Sequence, residues 1–218
     1  MPALLTRRQL ALGATGTALA IALPMPAIAE NQPVKIGLLT VKTGPLAQGG
    51  FQMEQGTALF LKHSGNRLAG RPAELIIADT GGNPAGTRTK AQELIERDQV
   101  DMILGPLAAF ELLAISDYAA QHKCPILSLA AAEDMTQRKP NPYFVRSSAT
   151  SAQAMHPLDD YARKELNYKT VITIANDFAN GYEEIGGFQR AFEDEGGLVR
   201  AKLWPPIVTP TTCRSWCR

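Results

Sequence analysis

The sequence predicts an α/β fold, a parallel sheet flanked by helices on both faces. Three observations carry the prediction. Apolar runs such as "VKIGLL" and "TVITIA" recur along the chain, each bounded by turn formers. Between them lie stretches with apolar residues at helical spacing. Strand and helix alternate, an order that places strands side by side in parallel with the helices packed on the sheet.

The elements follow in order. Residues 34–39 form the first strand, and Met53, Thr57, Phe60 and Leu61 mark a helix that Gly65 and Asn66 end. Residues 73–78 form the second strand. Asn83-Pro84 opens the next helix, Asn being a favoured cap and Pro favoured at the first helical position; its face is Thr87, Ala91, Leu94 and Ile95. Residues 101–105 are a strand, Phe110 to Gln121 a helix, and 125–130 a strand. A helical segment from Ser151 to Leu166 precedes strand 170–175. The helix from Gly181 to Glu195 buries Ile185, Phe188 and Phe192 and stops at Gly196-Gly197, before a last strand at 198–204.

Composition narrows the function. The 218 residues are 45% hydrophobic and 20% charged, enough for one or two domains. A formal net charge of +1, with Lys and Arg dispersed, argues against a nucleic-acid binder or one drawn to a membrane surface by charge. The N-terminus reads as an export signal over residues 1–29. Arg7 and Arg8 precede a weakly apolar stretch from Leu10 to Leu23, and Ala27-Ile28-Ala29 forms a small-x-small cleavage site. The paired arginines resemble the twin-arginine type, which predicts release into the periplasm. The apolar stretch is shorter than the ~20 residues a transmembrane helix needs. Cys124 has no cysteine partner before residue 213 and reads as a small buried hydrophobe.

No catalytic motif stands out. The chain lacks a G-x-S-x-G elbow, a phosphate loop with its lysine and an H-E-x-x-H helix, and His63, His122 and His156 have no metal-like spacing. Asp79 reads as a hydrogen-bond anchor at a strand end. The sequence therefore predicts no enzyme, no metal and no cofactor. In a parallel sheet, ligands bind outside the carboxyl ends of the strands. That rule selects the loops Thr40 to Gly50, Asp79 to Asn83, Gly105 to Phe110, and Leu129 to Asp134.

Stretches spread along the chain, in order, carry a resemblance: "KIGLLTVKTGPLAQGG", "IIADTGGNPAGTRTKAQELIERDQVDMILGP", "CPILSLAAAEDMTQRKPNPYFVRSS" and "NDFANGYEEIGGFQRAFEDEGG". They are similar to the periplasmic solute-binding proteins of ABC importers, of the type that binds branched-chain amino acids. The resemblance runs from about Val34 to Pro210. It implies the type I periplasmic-binding fold, two lobes closing on a small-molecule ligand about a hinge, and a membrane permease as partner. Lobe one is then residues 30–147, and residues 148–210 are the hinge crossing and the start of lobe two, with the crossing near 143–151. A ligand-sensing receptor of the same fold is the alternative.

The resemblance also selects site residues. Members hold the ligand carboxylate with hydroxyls after the third and fourth strands. This chain has Ala109 where serine is expected, and Ala130, Ala131 and Ala132 where an Ala-Thr pair is usual. Losing two hydrogen bonds to a charged group, worth ~1.5–3 kcal/mol each, weakens the hold on an amino acid. Backbone N–H groups of Ala109, Ala131 and nearby helix N-termini remain as donors. Gly49 stands where an aromatic is frequent and opens space, Asn180 stands where a tyrosine is frequent, and Phe110 adds an apolar wall. These departures favour a larger, flat carboxylate, such as an aromatic acid, over leucine or valine.

The last eight residues, "TTCRSWCR", differ in texture from everything before them. A metal clip lacks ligands, and a Cys213–Cys217 disulfide closes only a small loop. After "KLWPPIVTP" the family continues with something like D-Y-V-P-F-L-V-P, whose codons, shifted by one base, can spell this tail. The expectation is an out-of-frame tail at 211–218 and an incomplete second lobe. Uncovered apolar faces, a tendency to aggregate and no measurable closure on a ligand then follow.

Overall fold

The computed structural model describes residues 32–207; the export-signal segment and the C-terminal tail lie outside the described residues. Six strands form one sheet in the order β2-β3-β1-β4-β5-β6, and β7 and β8 form a second, two-stranded sheet.

The first strand, β1 (Val34–Thr40), is central because its last five residues are buried, which only a strand covered on both faces can be. It pairs in parallel with β3 (Arg71–Asp79) on one side and β4 (Met102–Leu104) on the other. Beyond β4 lie β5 (Ile126–Ser128) and then β6 (Phe144–Arg146), both parallel. The expected alternation therefore holds with two corrections. The two-residue strand β2 (Arg67–Leu68) runs antiparallel to β3, because the chain reverses through Ala69 and Gly70, both at positive φ. Part of the expected hinge crossing, Phe144–Arg146, is the edge strand β6, with Ile126 opposite Phe144.

Side-chain alternation sorts the layers. Leu39, Ile103 and Ile126 point to one face, where Ala91, Leu94, Leu112 and Ile115 complete the main core. These residues come from helix α2 (Pro84–Gln92), its π-helical continuation (Glu93–Arg97) and helix α3 (Ala109–Gln121). Burial of each such Leu or Ile contributes ~1.5–3 kcal/mol. Helix α1 (Ala47–His63) lies on the other face, with only Gly50 and Leu61 buried. There a cavity of about 480 Å³ opens among Ile36, Phe60, Leu61, Met102, Leu104 and Leu127.

The helices stop as the sequence anticipates at Asn66 (φ 54°), and in the same way at three further ends: Gln99, Lys123 and Asn167 each have φ of 53° or 54°. Each left-handed residue turns the chain back so that its own or the next N–H reaches a carbonyl of the last turn, as Cys124 N does to Ala119 O at 2.9 Å. Asn83 caps α2 as expected, its side chain accepting from Gly86 N at 2.8 Å. Cys124 is buried, and burial pushes its thiol up to about 11, the behaviour of an inert packing residue.

The second sheet pairs β7 (Thr170–Ile174) with β8 (Leu198–Leu203) in parallel. Helix α4 (Ser151–Asp160), its π-helical continuation (Tyr161–Glu165) and helix α5 (Ala179–Asp194) pack on one side, around Ala162, Phe188 and Phe192. The residues alternating with these are left open: Ile172 is 61% and Ile174 66% exposed. A cavity of about 390 Å³, lined almost wholly by apolar side chains including Leu158, Tyr161, Leu166 and Ile172, adjoins them. Uncovered apolar faces were expected from the sequence, and the structure has them.

One polar group ties the layers together at the carboxyl edge of the first sheet. Glu111 is fully buried and accepts from Thr87 Oγ1 and Ala108 N at 3.1 Å each, and from Thr80 Oγ1. Replacing Glu111→Ala strands the Ala108 amide and takes the charged acceptor from two hydroxyls, which keep only the Thr40 and Asn83 carbonyls. The expected loss is roughly 3–4 kcal/mol in urea unfolding, and a loss below about 1 kcal/mol shows the network to be dispensable. The open face of β7 makes a second outcome: the chain binds a hydrophobic dye and self-associates in sedimentation. Ile172→Thr with Ile174→Thr reduces both, while equal dye binding in the variant places the exposed patch elsewhere.

Candidate functional site

The strand order reverses between β1, whose other neighbour is β3, and β4, which leads to β5. That is the topological switch point of the sheet, where the loops after two adjacent strands part and leave a crevice. Two glycines shape it. A Cβ on Gly50 would sit 1.9 Å from Val41 O, so the start of α1 can lie against the loop after β1 only without a side chain there, and Thr40 Oγ1 donates to Gly50 O at 2.9 Å across the same contact. Gly105, with φ +91°, would bring a Cβ to 2.3 Å from Leu39 O. Asp79 behaves as the anchor expected: its Oδ1 accepts from Gly81 N at 2.9 Å and Lys42 N at 3.1 Å.

The residues selected from the sequence fall in three groups. Gly49 lies beside the loop after β4, but it does not open space, because a Cβ there would meet Leu107 Cδ2 at 2.8 Å. The end of the Leu107 side chain takes the room. Ala109 and Phe110 begin α3; Ala109 is buried, and its N–H, together with that of Ala131, has no hydrogen-bond partner among the described residues. Glu111 takes the neighbouring Ala108 N–H. Phe110 is half-buried and meets Phe178 edge-on, ring centres 6.0 Å apart, so an aromatic pair joins the two sheets at this edge.

The third group is Ala130, Ala131, Ala132 and Asn180. Ala130 N donates to Ser128 Oγ at 2.9 Å, and the Ala132 carbonyl accepts from Arg146 Nη2. Ser151 brings Ala131 and Asn180 together: its N–H donates to Ala131 O at 3.2 Å and its hydroxyl lies 2.9 Å from Asn180 Oδ1. Asn180 Nδ2 in turn donates to Glu184 Oε1 at 2.6 Å, while its Oδ1 competes with Glu183 Oε2 for the single Ser151 hydroxyl proton.

Sequence reasoning missed two features. Phe178, Tyr182 and Trp204 add an aromatic cluster at the carboxyl ends of β7 and β8, with Tyr182 and Trp204 4.8 Å apart edge-on. The signal was the aromatic just past each of these strands. The other is a polar junction: Glu183, one turn into α5, accepts from Glu133 N at 3.1 Å and from Ser151 Oγ at 2.9 Å, with Arg138 Nη2 at 3.7 Å. A cavity of about 480 Å³ opens behind it, lined also by His156 and Arg190. Burial raises the Glu183 carboxyl above its ordinary 4.5, against the opposing pull of the Ser151 and Glu133 hydrogen bonds. Arg146, beside the same loop, is lowered by burial.

Comparison with known proteins adds the following. Residues 33–209 match the profile of a family described as periplasmic binding protein. Leu/Ile/Val-binding protein homolog 6 of Brucella abortus is 28% identical over 194 residues, which cover 88% of this chain and 49% of that protein. The chain spans about half the length of the curated relatives it matches. Among solved structures, an ABC transporter substrate-binding protein from Sphaerobacter thermophilus aligns with a TM-score of 0.76 and 34% identity, over 84% of this chain and 50% of that one. The solute-binding protein of an ABC transporter from Rhodopseudomonas palustris BisB5, solved with 3,4-dihydroxybenzoic acid, has a TM-score of 0.76 and 32% identity, over 83% of this chain and 49% of that one.

The Glu183 junction sets a pH dependence. A carboxyl raised by burial favours the protonated fold, so its contribution is fully present below the unfolded value near 4.5 and is lost as pH rises through the higher folded value. Glu183→Gln keeps an acceptor without the buried charge. The variant is expected to be at least as stable as the parent at neutral pH and to show a flatter stability profile above pH 4.5 in thermal unfolding. A variant clearly less stable at neutral pH, with an unchanged profile, removes burial as the dominant effect.

Proposed function

The chain belongs to the periplasmic binding protein family, and on that premise we propose that it is the extracytoplasmic substrate-binding component of an ABC importer. The family and fold are those of binding proteins; the proposed task is to capture a small carboxylate and present it to a membrane permease. Among the described residues no helix is long and apolar enough to cross a membrane, and the proposed location is the periplasm, reached through the twin-arginine signal.

The proposed domain division follows the two sheets. Lobe one carries the six-stranded sheet, the chain crosses after β6, and α4 begins lobe two. The ligand lies at the carboxyl edge between them. The proposed binding residues are Gly49, Ala109, Phe110, Ala130, Ala131, Ala132 and Asn180, with the N–H groups of Ala109 and Ala131 as carboxylate donors.

The proposed ligand is an aromatic carboxylate. The observation that carries this is the Phe110–Phe178 pair standing beside a helix N-terminus whose flanking residues, Ala108 and Ala109, offer no hydroxyl. Flat rings gain from edge and stacking contact with such a wall, while an aliphatic amino acid relies more on the hydroxyl anchors that this loop lacks. The Rhodopseudomonas palustris BisB5 protein solved with 3,4-dihydroxybenzoic acid supports this ring-shaped class, and the Leu/Ile/Val-binding name of the Brucella relative marks the competing one.

Trp204, packed on Tyr182 at the same edge, is a natural reporter. Titration with 3,4-dihydroxybenzoate is expected to change its fluorescence, with leucine giving no response over the same range. Phe110→Ala weakens the aromatic acid by roughly tenfold, the worth of one aromatic contact. A saturable response to leucine at lower concentration than to the aromatic acid overturns the assignment.

A further inference from the structure

We propose that Asp159, Asp160 and Glu195 form a Ca2+ site that ties the end of helix α4 to the end of helix α5, away from the proposed ligand crevice. One carboxylate oxygen from each of the three lies within 4.8 Å of the others, close enough for a single ion to touch all three. Acidic clusters on a surface are common, and proximity alone would signify little.

The state of Asp159 sets this cluster apart. It is 2% exposed, and its buried Oδ1 has no hydrogen-bond partner among the described residues. Buried carboxylate oxygens are nearly always hydrogen-bonded, so an orphan on the buried member of an acidic cluster points to a missing positive ligand.

The surroundings favour a cation. Glu195 is the C-cap of α5, where the helix dipole is negative. Lys164 Nζ already bridges the two outer carboxylates, on Asp160 Oδ1 and 3.2 Å from Glu195 Oε1. Arg163 donates to the Glu195 and Tyr168 carbonyls at 2.5 and 2.6 Å, while its own buried Nε has no partner. Three carboxylates against these two cations leave one net negative charge. A divalent ion replacing the Lys164 ammonium cancels it and gives Asp159 the contact that the lysine does not.

All the donors are carboxylate oxygens, which selects a hard cation. Asp159 and Asp160 are adjacent on a helix and project in different directions, an irregular arrangement that Ca2+ accepts and Mg2+, held to near-ideal octahedral geometry, does not. Asp160 and Glu195 are exposed, so water completes the shell. Three carboxylates in an open site suit affinity on the order of 10⁻⁴ to 10⁻³ M.

The test is thermal unfolding and calorimetric titration of the full chain in chelator-treated buffer, with CaCl2 and with MgCl2. CaCl2 is expected to raise Tm saturably, and equal MgCl2 to raise it far less. Lys164→Gln removes the competing ammonium and is expected to tighten Ca2+ by about tenfold, while Asp159→Asn abolishes the response. Because Asp159 is buried, Glu195→Gln is the second variant, with the same loss expected on an exposed side chain. No Ca2+ response in either the parent or Lys164→Gln overturns the site, leaving Asp159 as the neighbour of Arg163 only. So does a response that survives both carboxylate substitutions.

Discussion

A single buried carboxylate holds the working edge of the first sheet in register. Glu111 lies where three segments meet: the loop after β3 through Thr80, helix α2 through Thr87, and the loop after β4 through Ala108. No one of these donors suffices alone, because a buried carboxylate left short of partners costs more than packing nearby returns. The carboxylate is satisfied only when all three are in place, while the two threonine hydroxyls also reach the Thr40 and Asn83 carbonyls. The start of α3, with Ala109 and Phe110, is therefore fixed from below by the same contacts that close the core above Leu39 and Ile103.

The junction between the two sheets is built on a different principle. It rests on side chains that cap backbone: Ser151 reaches the loop after β5 at Ala131, and Glu183 reaches Glu133 from α5. The apolar contribution is the edge-on ring pair of Phe110 with Phe178 and the packing of Ala179 on the larger core. A joint made mainly of hydrogen bonds and one aromatic contact can re-form at several angles, which a packed apolar interface cannot.

The fold was legible in the sequence because period and punctuation agreed. The apolar faces Thr87, Ala91, Leu94 and Ile185, Phe188, Phe192 are buried as their spacing required. Asn83-Pro84 opened a helix because cap and first-turn chemistry leave little choice. What escaped was decided elsewhere in the chain. The strand Phe144–Arg146 has three residues and an exposed Val145, so nothing in its own pattern distinguishes it from loop; the neighbouring edge of β5 makes it a strand. The left-handed exits at Gln99 and Lys123 use residues with no preference for that conformation, imposed by the strand that must follow.

The site was legible to a lesser degree, since a pocket belongs to no single segment. Gly49 pointed to empty space, and Leu107, nearly sixty residues later, fills it. Asn180 was selected as standing where a tyrosine is frequent, and its amide is engaged by Ser151 and Glu184. Phe110 was selected as an apolar wall, and its ring partner Phe178 lies in the loop after β7, which only the fold could bring to it.

The two sheets differ in how much they bury, and this has a kinetic side. The larger core gathers residues from β1, α2, α3, β4, β5 and β6, whereas the smaller has Ala162, Phe188 and Phe192 at its centre. The parallel pair β7 and β8 has ladder bonds on only one side of each strand. Cooperative units with few buried contacts open at a fraction of the free energy needed to unfold the rest. The backbone amides of β7 and β8 then exchange with solvent deuterium through a partial opening that leaves the six-stranded sheet intact, so the molecule melts from its C-terminal side inward.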